Sequence, residues 1–335
     1  MAASATAVPA RIDAAFCFEK LSGPFRLRVD NPGGVGHDGR MTLSETQRDR
    51  LAAALAVIAC EAGEILRAHH GGDCPHVLKP DGSPSSAADL EAETLILAAL
   101  AKACPGIPVV AEETCHNVPP ADLFFLVDPL DGTRDFLAGN PEYSVNIGLV
   151  EGNRPVAAAL AAPGLGRVWF AGTSAFEAPI RAGRPDAARP VHARPAPAAG
   201  LVALVSRRHG DSETEACLAA LPIESRRGAA SALKFCLIAS GEADIYVRCG
   251  PTMEWDTAAG DHVLTAAGGC VVAPTGRPMI YGRHALSYRN GPFAALGDPA
   301  YADRLGLPDR GPQTRPLDAD AAGAGSGLSP AASNP

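Results

Sequence analysis

The residues of this sequence whose types and spacing point to chemistry are three acidic clusters. Ala111-Glu112-Glu113 follows the apolar run Ile107 to Val110, Asp128-Pro129-Leu130-Asp131-Gly132-Thr133 follows Leu123 to Val127, and Trp255-Asp256-Thr257 lies far downstream. Short apolar runs read as strands, and carboxylates at strand ends are where sites are built. Several carboxylates converging in this way repel one another unless cations sit between them, so they make no sense as a stabilising cluster. Oxygen-only ligands select hard ions, which favours Mg2+ over zinc. Asp-Gly-Thr in isolation is ordinarily a turn, with Asp capping and Gly supplying a positive φ. Here it stands with two further acidic clusters.

Spacing narrows the chemistry. Phosphatases of the haloacid-dehalogenase type need a nucleophilic Asp two residues before a second Asp, then Gly-Thr, whereas Asp128 stands three residues before Asp131. Both aspartates therefore read as metal ligands, with the Leu130 carbonyl between them. Gly132 and Thr133 would open a helix whose free N–H groups and macrodipole receive a phosphate. Cations on one side and a helix start on the other describe a site for a phosphate monoester.

The elements that must position these residues can be read in outline. Ser44 with Gln47 forms a capping-box pattern, and Leu51, Leu55, Ile58, Ala62, Ile65 and Leu66 follow at helical spacing. After the loop Lys79-Pro80-Asp81-Gly82-Ser83-Pro84, Ser86 with Asp89 starts a second helix that stops at Pro105-Gly106. Strands are expected at Ile107 to Val110, Leu123 to Val127, Tyr143 to Leu149, Val156 to Ala162 and Arg167 to Ala171. The Pro- and Ala-rich stretch from Ala182 to Gly200 reads as a connection between two halves. Beyond it come a strand at Leu201 to Ser206, helices near Glu213 to Ala220 and Ser231 to Ser240, a strand at Asp244 to Val247 and a helix from Trp255 to Ala267. The expected organisation is a disordered extension over 1–40, an N-terminal metal-binding half over 41–180, a C-terminal substrate-binding half over 181–310, and a disordered tail over 311–335. Met41, beside the first capping pattern, is the expected natural start.

Composition bounds the rest. Hydrophobic residues make up 47% and charged residues 20% of the 335, enough to bury a sizeable core and inconsistent with a wholly disordered chain. The 29 basic and 37 acidic residues give a net charge of -8, which argues against gripping nucleic-acid polymers or anionic membranes. Nine scattered cysteines without a Cys-x-x-Cys pair indicate buried thiols rather than a disulfide framework or a zinc knuckle. No run of about 20 apolar residues marks a membrane span. The expected location is cytoplasmic, with peripheral attachment at the inner membrane left open, and the expected state is a monomer or homodimer.

With these residues in view, the sequence resembles the inositol monophosphatase superfamily of Mg2+-dependent, lithium-sensitive phosphatases, through Glu112-Glu113, the run Asp128 to Thr133, and Trp255-Asp256 with Ala259 and Gly260. Within it the sequence is similar to the 3′(2′),5′-bisphosphate nucleotidases. That narrower likeness rests on Lys79 to Pro84 with Ala88-Asp89, on Ser206-Arg207-Arg208-His209, on Leu233-Lys234-Phe235-Cys236, and on Gly241 to Gly260. The chain departs from the pattern at Ser85-Ser86, where Val-Thr is usual, and at Ala230-Ser231-Ala232, where Gly-Ser-Ser is usual. The resemblance covers about residues 44–297. It implies an α/β fold, a layered α-β-α-β-α sandwich of the inositol monophosphatase and fructose-1,6-bisphosphatase type. It also implies two or three Mg2+ ions: one on Glu112, Asp128 and the Leu130 carbonyl, and a second on Asp128, Asp131 and Asp256. Asp81, with the Thr133 hydroxyl, would orient the attacking water.

The implied reaction is removal of the 3′-phosphate from adenosine 3′,5′-bisphosphate (PAP) to give AMP and phosphate, in sulfur assimilation. The implied substrate contacts are Glu112, Asp131, Gly132, Thr133 and Asp256 around the scissile phosphate. Arg134, Arg207, His209, Lys234 and Arg248 are candidates for the 5′-phosphate. Trp255 is expected to pack and fix Asp256, not to stack on a base, and His37, His69 and His70 fall outside the constellation. Rival readings are an inositol monophosphatase or fructose-1,6-bisphosphatase-like sugar phosphatase, which would share the metal site, and a non-catalytic nucleotide or metal sensor. The sensor's mark would be loss of Asp81, Thr133 or a metal carboxylate, and all are present.

Overall fold

The computed structural model describes residues 26–27, 42–72, 74–80, 82–207 and 210–309. The expected tail, the expected start at Met41, and the residues Asp81 and His209 lie outside these, as does most of the expected N-terminal extension. Two residues of that extension are described, and they depart from the expectation of disorder. Leu27 is buried in the first core cluster, and its N–H donates to the Ala103 carbonyl at 2.8 Å.

In chain order the elements are α1 (Glu45–His69), β1 (His76–Leu78), β2 (Pro84–Ser86), α2 (Ala87–Ala103), β3 (Val109–Ala111), β4 (Leu123–Asp131), α3 (Thr133–Leu137), β5 (Ser144–Glu151), β6 (Arg154–Ala162), β7 (Arg167–Ala171), β8 (Ala175–Arg181), β9 (Arg184–Pro185) and β10 (Arg189–Pro190). They continue as β11 (Leu201–Val205), α4 (Ser212–Ala219), β12 (Ile223–Gly228), α5 (Leu233–Ala239), β13 (Ile245–Arg248), α6 (Glu254–Ala266), β14 (Cys270–Val272) and β15 (Phe293–Leu296). Both expected capping boxes are formed: Ser44 accepts from Gln47 N–H, and Ser86 from Asp89 N–H. Such reciprocal caps satisfy donors that a helix start would otherwise leave bare.

Three cores separate five layers. The first joins α1 and α2 to one face of the sheet β10-β8-β7-β6-β5-β4-β3, through Leu51, Leu55 and Ile96 against Phe125, Val127 and Ile147. The second lies between the opposite face of that sheet and the sheet β12-β11-β13-β15-β14, and it encloses α5 and α6. The third covers the outer face of the second sheet with α4. This is the expected α-β-α-β-α sandwich. Alternate residues of β4 show the partition directly, with Phe125 and Val127 in the first core and Phe124 and Leu126 in the second. Burial on both faces explains why the strands read as continuous apolar runs.

The boundary expected near residue 180 falls inside β8, and β9 and β10 both pair with that strand, so the first sheet runs on to Pro190. The middle layer comes from the C-terminal half yet packs on both sheets, so the two halves share a core. β12 was not expected because its sequence, Ile-Glu-Ser-Arg-Arg-Gly, is polar. It pairs only with β11, at a sheet edge where charged side chains are tolerated.

Among the described residues the cysteines are free and mostly buried, and no helix is long and apolar enough to cross a membrane.

Helices α5 and α6 touch at Gly260, where a Cβ would stand 2.5 Å from Phe235 Cδ2. Phe235 is wedged between Tyr246 and Phe293 and has no room to turn. Gly260→Ala gains roughly 1 kcal/mol of helix propensity against about 1–3 kcal/mol or more of overpacking. A lowered melting temperature in calorimetry is expected; an unchanged or raised one would show that the middle layer yields.

Candidate active site

Topology gathers the acidic clusters. Because β3 runs parallel to β4, the residues that follow both strands emerge on the same edge, and Glu112 N–H donates to the Val127 carbonyl at 3.2 Å. β4 does not stop at Val127 as expected from its apolar run. It continues to Asp131 across an irregularity in which Asp128 faces Asn146 and Asp131 faces Ser144. Two residues, Pro129 and Leu130, thus oppose one. A bulge is where a proline without an N–H fits, and it turns Asp128 and Asp131 toward the same end of the sheet.

Gly132 follows with φ 90°, and a Cβ there would approach Ser231 Cβ at 3.4 Å and the Glu142 carbonyl at 3.5 Å. Only glycine takes that conformation without strain. The helix it opens, α3, is five residues long, so the macrodipole expected at this point is small. Asp256 arrives from the middle layer in the first turn of α6, where Oδ2 accepts from Met253 N–H at 2.8 Å.

These residues line one cavity of about 670 Å3. Glu112, Asp128, Leu130, Asp131, Gly132, Thr133, Arg134, Arg207, Lys234, Arg248 and Asp256, expected from the sequence to form the site, all border it. Burial pushes the Asp128 and Asp256 carboxyls well above the usual range, and their acidic neighbours push the same way. Asp131 is raised by burial too, offset by Lys234 and by the Ala232 N–H at 2.5 Å. Glu112 is raised by burial to about 7.

Among the described residues no three acidic, His or Cys side chains stand close enough to enclose an ion as they lie. Glu112 is held by the Lys79 ammonium at 2.7 Å, which also bonds Glu113 at 2.6 Å. Burial alone would lower the Lys79 pKa, but these two glutamates raise it. The donor set itself, four carboxylates and a carbonyl with no nitrogen or sulfur, fits a hard divalent cation. The mutual repulsion of the carboxylates is what such an ion would relieve.

Sequence reading missed Asp89. Beyond its place in the motif Ala88-Asp89 it was given no role but capping α2, and Oδ2 does accept from Ser86 N–H at 2.8 Å and from Ser86 Oγ at 2.5 Å. Its other oxygen accepts from the Thr133 hydroxyl at 3.3 Å. The same hydroxyl lies 3.0 Å from the Leu130 carbonyl, and with one proton it serves one acceptor at a time. Asp89 is buried, which raises its pKa to about 6 against the lowering effect of Ser86. The sequence signal was an acid at a buried helix start, where a purely capping Asp is normally solvated.

The basic residues differ in how far they are already engaged. Arg207 Nη2 donates to Glu142 at 2.8 Å and to the Gly228 carbonyl at 3.3 Å. Lys234 is buried with its ammonium on the Ser231 carbonyl at 2.7 Å and the Ala229 carbonyl at 3.3 Å, above the Tyr246 ring. Burial lowers its pKa to about 8. Arg134 donates to the Gly82 carbonyl at 2.8 Å, tying α3 to the β1–β2 hairpin. Trp255 is buried against Tyr288, as expected of a packing residue, and it also borders the cavity.

Residues 46–300 match the Inositol monophosphatase family. The chain belongs to the inositol monophosphatase family. Its relatives in that family include the 3′(2′),5′-bisphosphate nucleotidase CysQ of Salmonella typhimurium, 37% identical over 67% of this chain and 91% of the relative. The protein of the same name from Escherichia coli K12 is 35% identical over the same shares. The crystal structure of CysQ from Bacteroides thetaiotaomicron, a bacterial family member, superimposes with a TM-score of 0.64 at 31% identity, covering 73% of this chain and 96% of that one. A Thermotoga maritima inositol monophosphatase shares the fold at 22% identity and a TM-score of 0.61, over 76% of this chain and 95% of its own.

The electrostatics of this family site give a prediction. The Asp128 carboxyl is raised in the folded state, so its ionisation costs stability above the folded pKa, and the cost vanishes below the unfolded value near ~4. Asp128→Asn without metal should therefore melt a few °C above the parent at pH 8, with the advantage shrinking toward pH 4. Added Mg2+ should raise the parent's melting temperature far more than the variant's. A variant that melts lower than the metal-free parent at pH 8 would contradict the assignment.

Proposed function

We propose that this chain is a divalent-metal-dependent phosphatase, a 3′(2′),5′-bisphosphate nucleotidase that removes the 3′-phosphate of PAP to give AMP and phosphate, with Mg2+ as the metal. The observation that carries the reading is the convergence of an oxygen-only set of carboxylates, buried Asp128 with half-buried Glu112, Asp131 and Asp256, and the Thr133 hydroxyl paired with buried Asp89, in one cavity that also bears arginines. Named bisphosphate nucleotidases among its relatives, matched over nine tenths of their length, support the substrate class.

In this reading Glu112, Asp128, Asp131, Asp256 and the Leu130 carbonyl would hold the metal, which when bound lowers the pKa of water and neutralises charge on the phosphate. Asp89 takes the Thr133 hydroxyl proton as a hydrogen bond. The Thr133 oxygen then keeps its lone pairs for a proton of the attacking water, and the pair orients that water. Asp81 was expected in this role and lies outside the described residues. Gly132, lacking a side chain, lets the phosphate approach the backbone at the start of α3. Arg134, beside Thr133, adds charge on the same side. Buried Lys234, with two of its three donors spent on carbonyls, acts through its charge beside Asp131.

Two experiments test this. Purified protein with Mg2+ should release phosphate from PAP with kcat/KM at least tenfold above that for inositol 1-phosphate or fructose 1,6-bisphosphate, and a chelator should abolish the release. A reversed preference would move the chain to the sugar phosphatases, and no turnover of any of them would favour a non-catalytic sensor. Asp89→Asn and Thr133→Ala should each lower kcat about 10²–10⁴-fold with little change in KM, and the double variant should be scarcely worse than either. Multiplying losses would show that the two residues act separately.

A further inference from the structure

Three polar side chains beneath the acidic cavity, Asn146, Ser144 and Ser231, have no place in the reaction described above, and they form a line. The register of β5 on β4 sets Asn146 opposite Asp128 and Ser144 opposite Asp131. Residues opposite one another across a ladder share a face. For Asp128 it is the face of Phe124 and Leu126, turned to the middle layer. At Gly148, two residues past Asn146, a Cβ would stand 3.3 Å from the Ala259 nitrogen and 3.4 Å from Ala258 Cβ, both on α6 just after Asp256. Asn146 therefore lies where the strand that bears Asp128 and Asp131 meets the helix that bears Asp256.

Asn146 and Ser144 are fully buried. The Ser144 hydroxyl donates to Asn146 Oδ1 at 2.9 Å and, with its one proton committed there, accepts from the Ser231 hydroxyl at 2.6 Å. Ser231 reaches that position with a left-handed backbone, φ 55°, which a residue with a side chain rarely takes unless its surroundings impose it. Those surroundings are the Lys234 ammonium, which donates to the Ser231 carbonyl at 2.7 Å, and the Ala232 N–H, which donates to Asp131 Oδ2 at 2.5 Å. The Asn146 amide is thus fixed at its oxygen end.

Its nitrogen end is not engaged in the same way. Asn146 Nδ2 is shut off from solvent and makes no hydrogen bond as the side chains lie. A buried donor left unpaired is costly, and native structures hold few of them. Turning the amide over would be worse, because its oxygen would then face the carboxylates. The amide already acts on one of them. Burial raises the Asp131 carboxyl, and Lys234, the Ala232 N–H and Asn146 are among the groups that oppose the rise. Asn146 thereby favours the ionised form of Asp131, the form that a cation requires.

We propose that Asn146 is a positioning residue for the cation site: its Nδ2 donates to the ionised Asp131 carboxylate and holds it in the orientation that binds the metal, while Ser231 and Ser144 fix the amide. This rests on Asp131 as a metal ligand and adds a group that touches neither metal nor substrate. Groups that hydrogen-bond a metal ligand orient it, and losing one typically lowers metal affinity or activity roughly 10–100-fold.

The test is calorimetric titration of the metal-free protein with Mg2+ at pH 8, which needs no turnover. Asn146→Leu keeps the volume and removes the donor, and it should weaken Mg2+ binding about 10–100-fold. Ser144→Ala leaves the amide in place but unfixed. It should weaken binding in the same direction but less, and the double variant should be scarcely worse than Asn146→Leu alone. Tyr143→Phe is the control, because the Tyr143 hydroxyl is also buried without a partner but belongs to the first core. That variant should bind Mg2+ like the parent. Melting temperatures without metal separate folding from binding. Variants of Asn146 and Ser144 that melt lower yet bind Mg2+ with the parent's affinity would make Asn146 a packing residue and overturn the proposal, as would an equal loss of affinity in Tyr143→Phe. If Asn146→Leu does not fold, Ser144→Ala decides by the same measurement. If the unaltered protein binds no Mg2+, the metal reading fails and the proposal fails with it.

Discussion

Buried carboxylates that repel one another are the constraint on which the rest of this molecule depends. Asp128, Asp131 and Asp256 come from two strand-end residues and a helix start, and the fold places them in one cavity where burial and acidic neighbours make the ionisation of Asp128 and Asp256 harder. Nothing in protein stability favours such an arrangement. A chain that keeps it is built around what binds there, and oxygen-only donors narrow the guest to a hard cation.

The surrounding structure can be understood as the means of holding that arrangement. The bulge in β4 turns both aspartates toward one end of the sheet, and Gly132 closes the turn behind them in a conformation other residues resist. The start of α6 is clasped by Glu254, Arg283 and Asn290, all within a single hydrogen-bonded ring, so Asp256 is carried on a fixed support. Lys79 restrains Glu112 and Glu113 on the opposite wall. Because the middle helical layer packs on both sheets, the carboxylates of the two halves are held by one continuous core. Precise placement by rigid elements is what separates a catalytic constellation from a collection of acids.

Much of this was legible in the sequence because it follows from local rules. Ser44–Gln47 and Ser86–Asp89 announced two helices, apolar runs announced the buried strands, and carboxylates at their ends announced the site. What escaped was whatever depends on tertiary context. β12 is polar and gains strand structure only from its partner β11. The extension of β4 beyond Val127 required knowing that β5 would pair with Asp128 and Asp131. Asp89 looked like a cap, and only the approach of Thr133 from another element gives it a second task. Asn146 had no motif at all, because only the register of β5 on β4 brings it beside the acids. The resemblance to a family supplied the reaction class but did not sort the cavity's cations, which needed their carboxylate partners to be seen.

The central claim is that the buried acids hold protons in the absence of metal and give them up to bind it. Calorimetric titration of the metal-free protein with Mg2+, repeated in buffers of different ionisation enthalpy, counts those protons directly. With Glu112 near 7 and the aspartates raised by burial, protons should be released on binding at pH 6, and the number should fall as the pH is raised from 6 to 9. Tight binding with no proton release across that range would mean that the carboxylates are ionised before the ion arrives, and that their mutual repulsion is not the constraint on which this site is built.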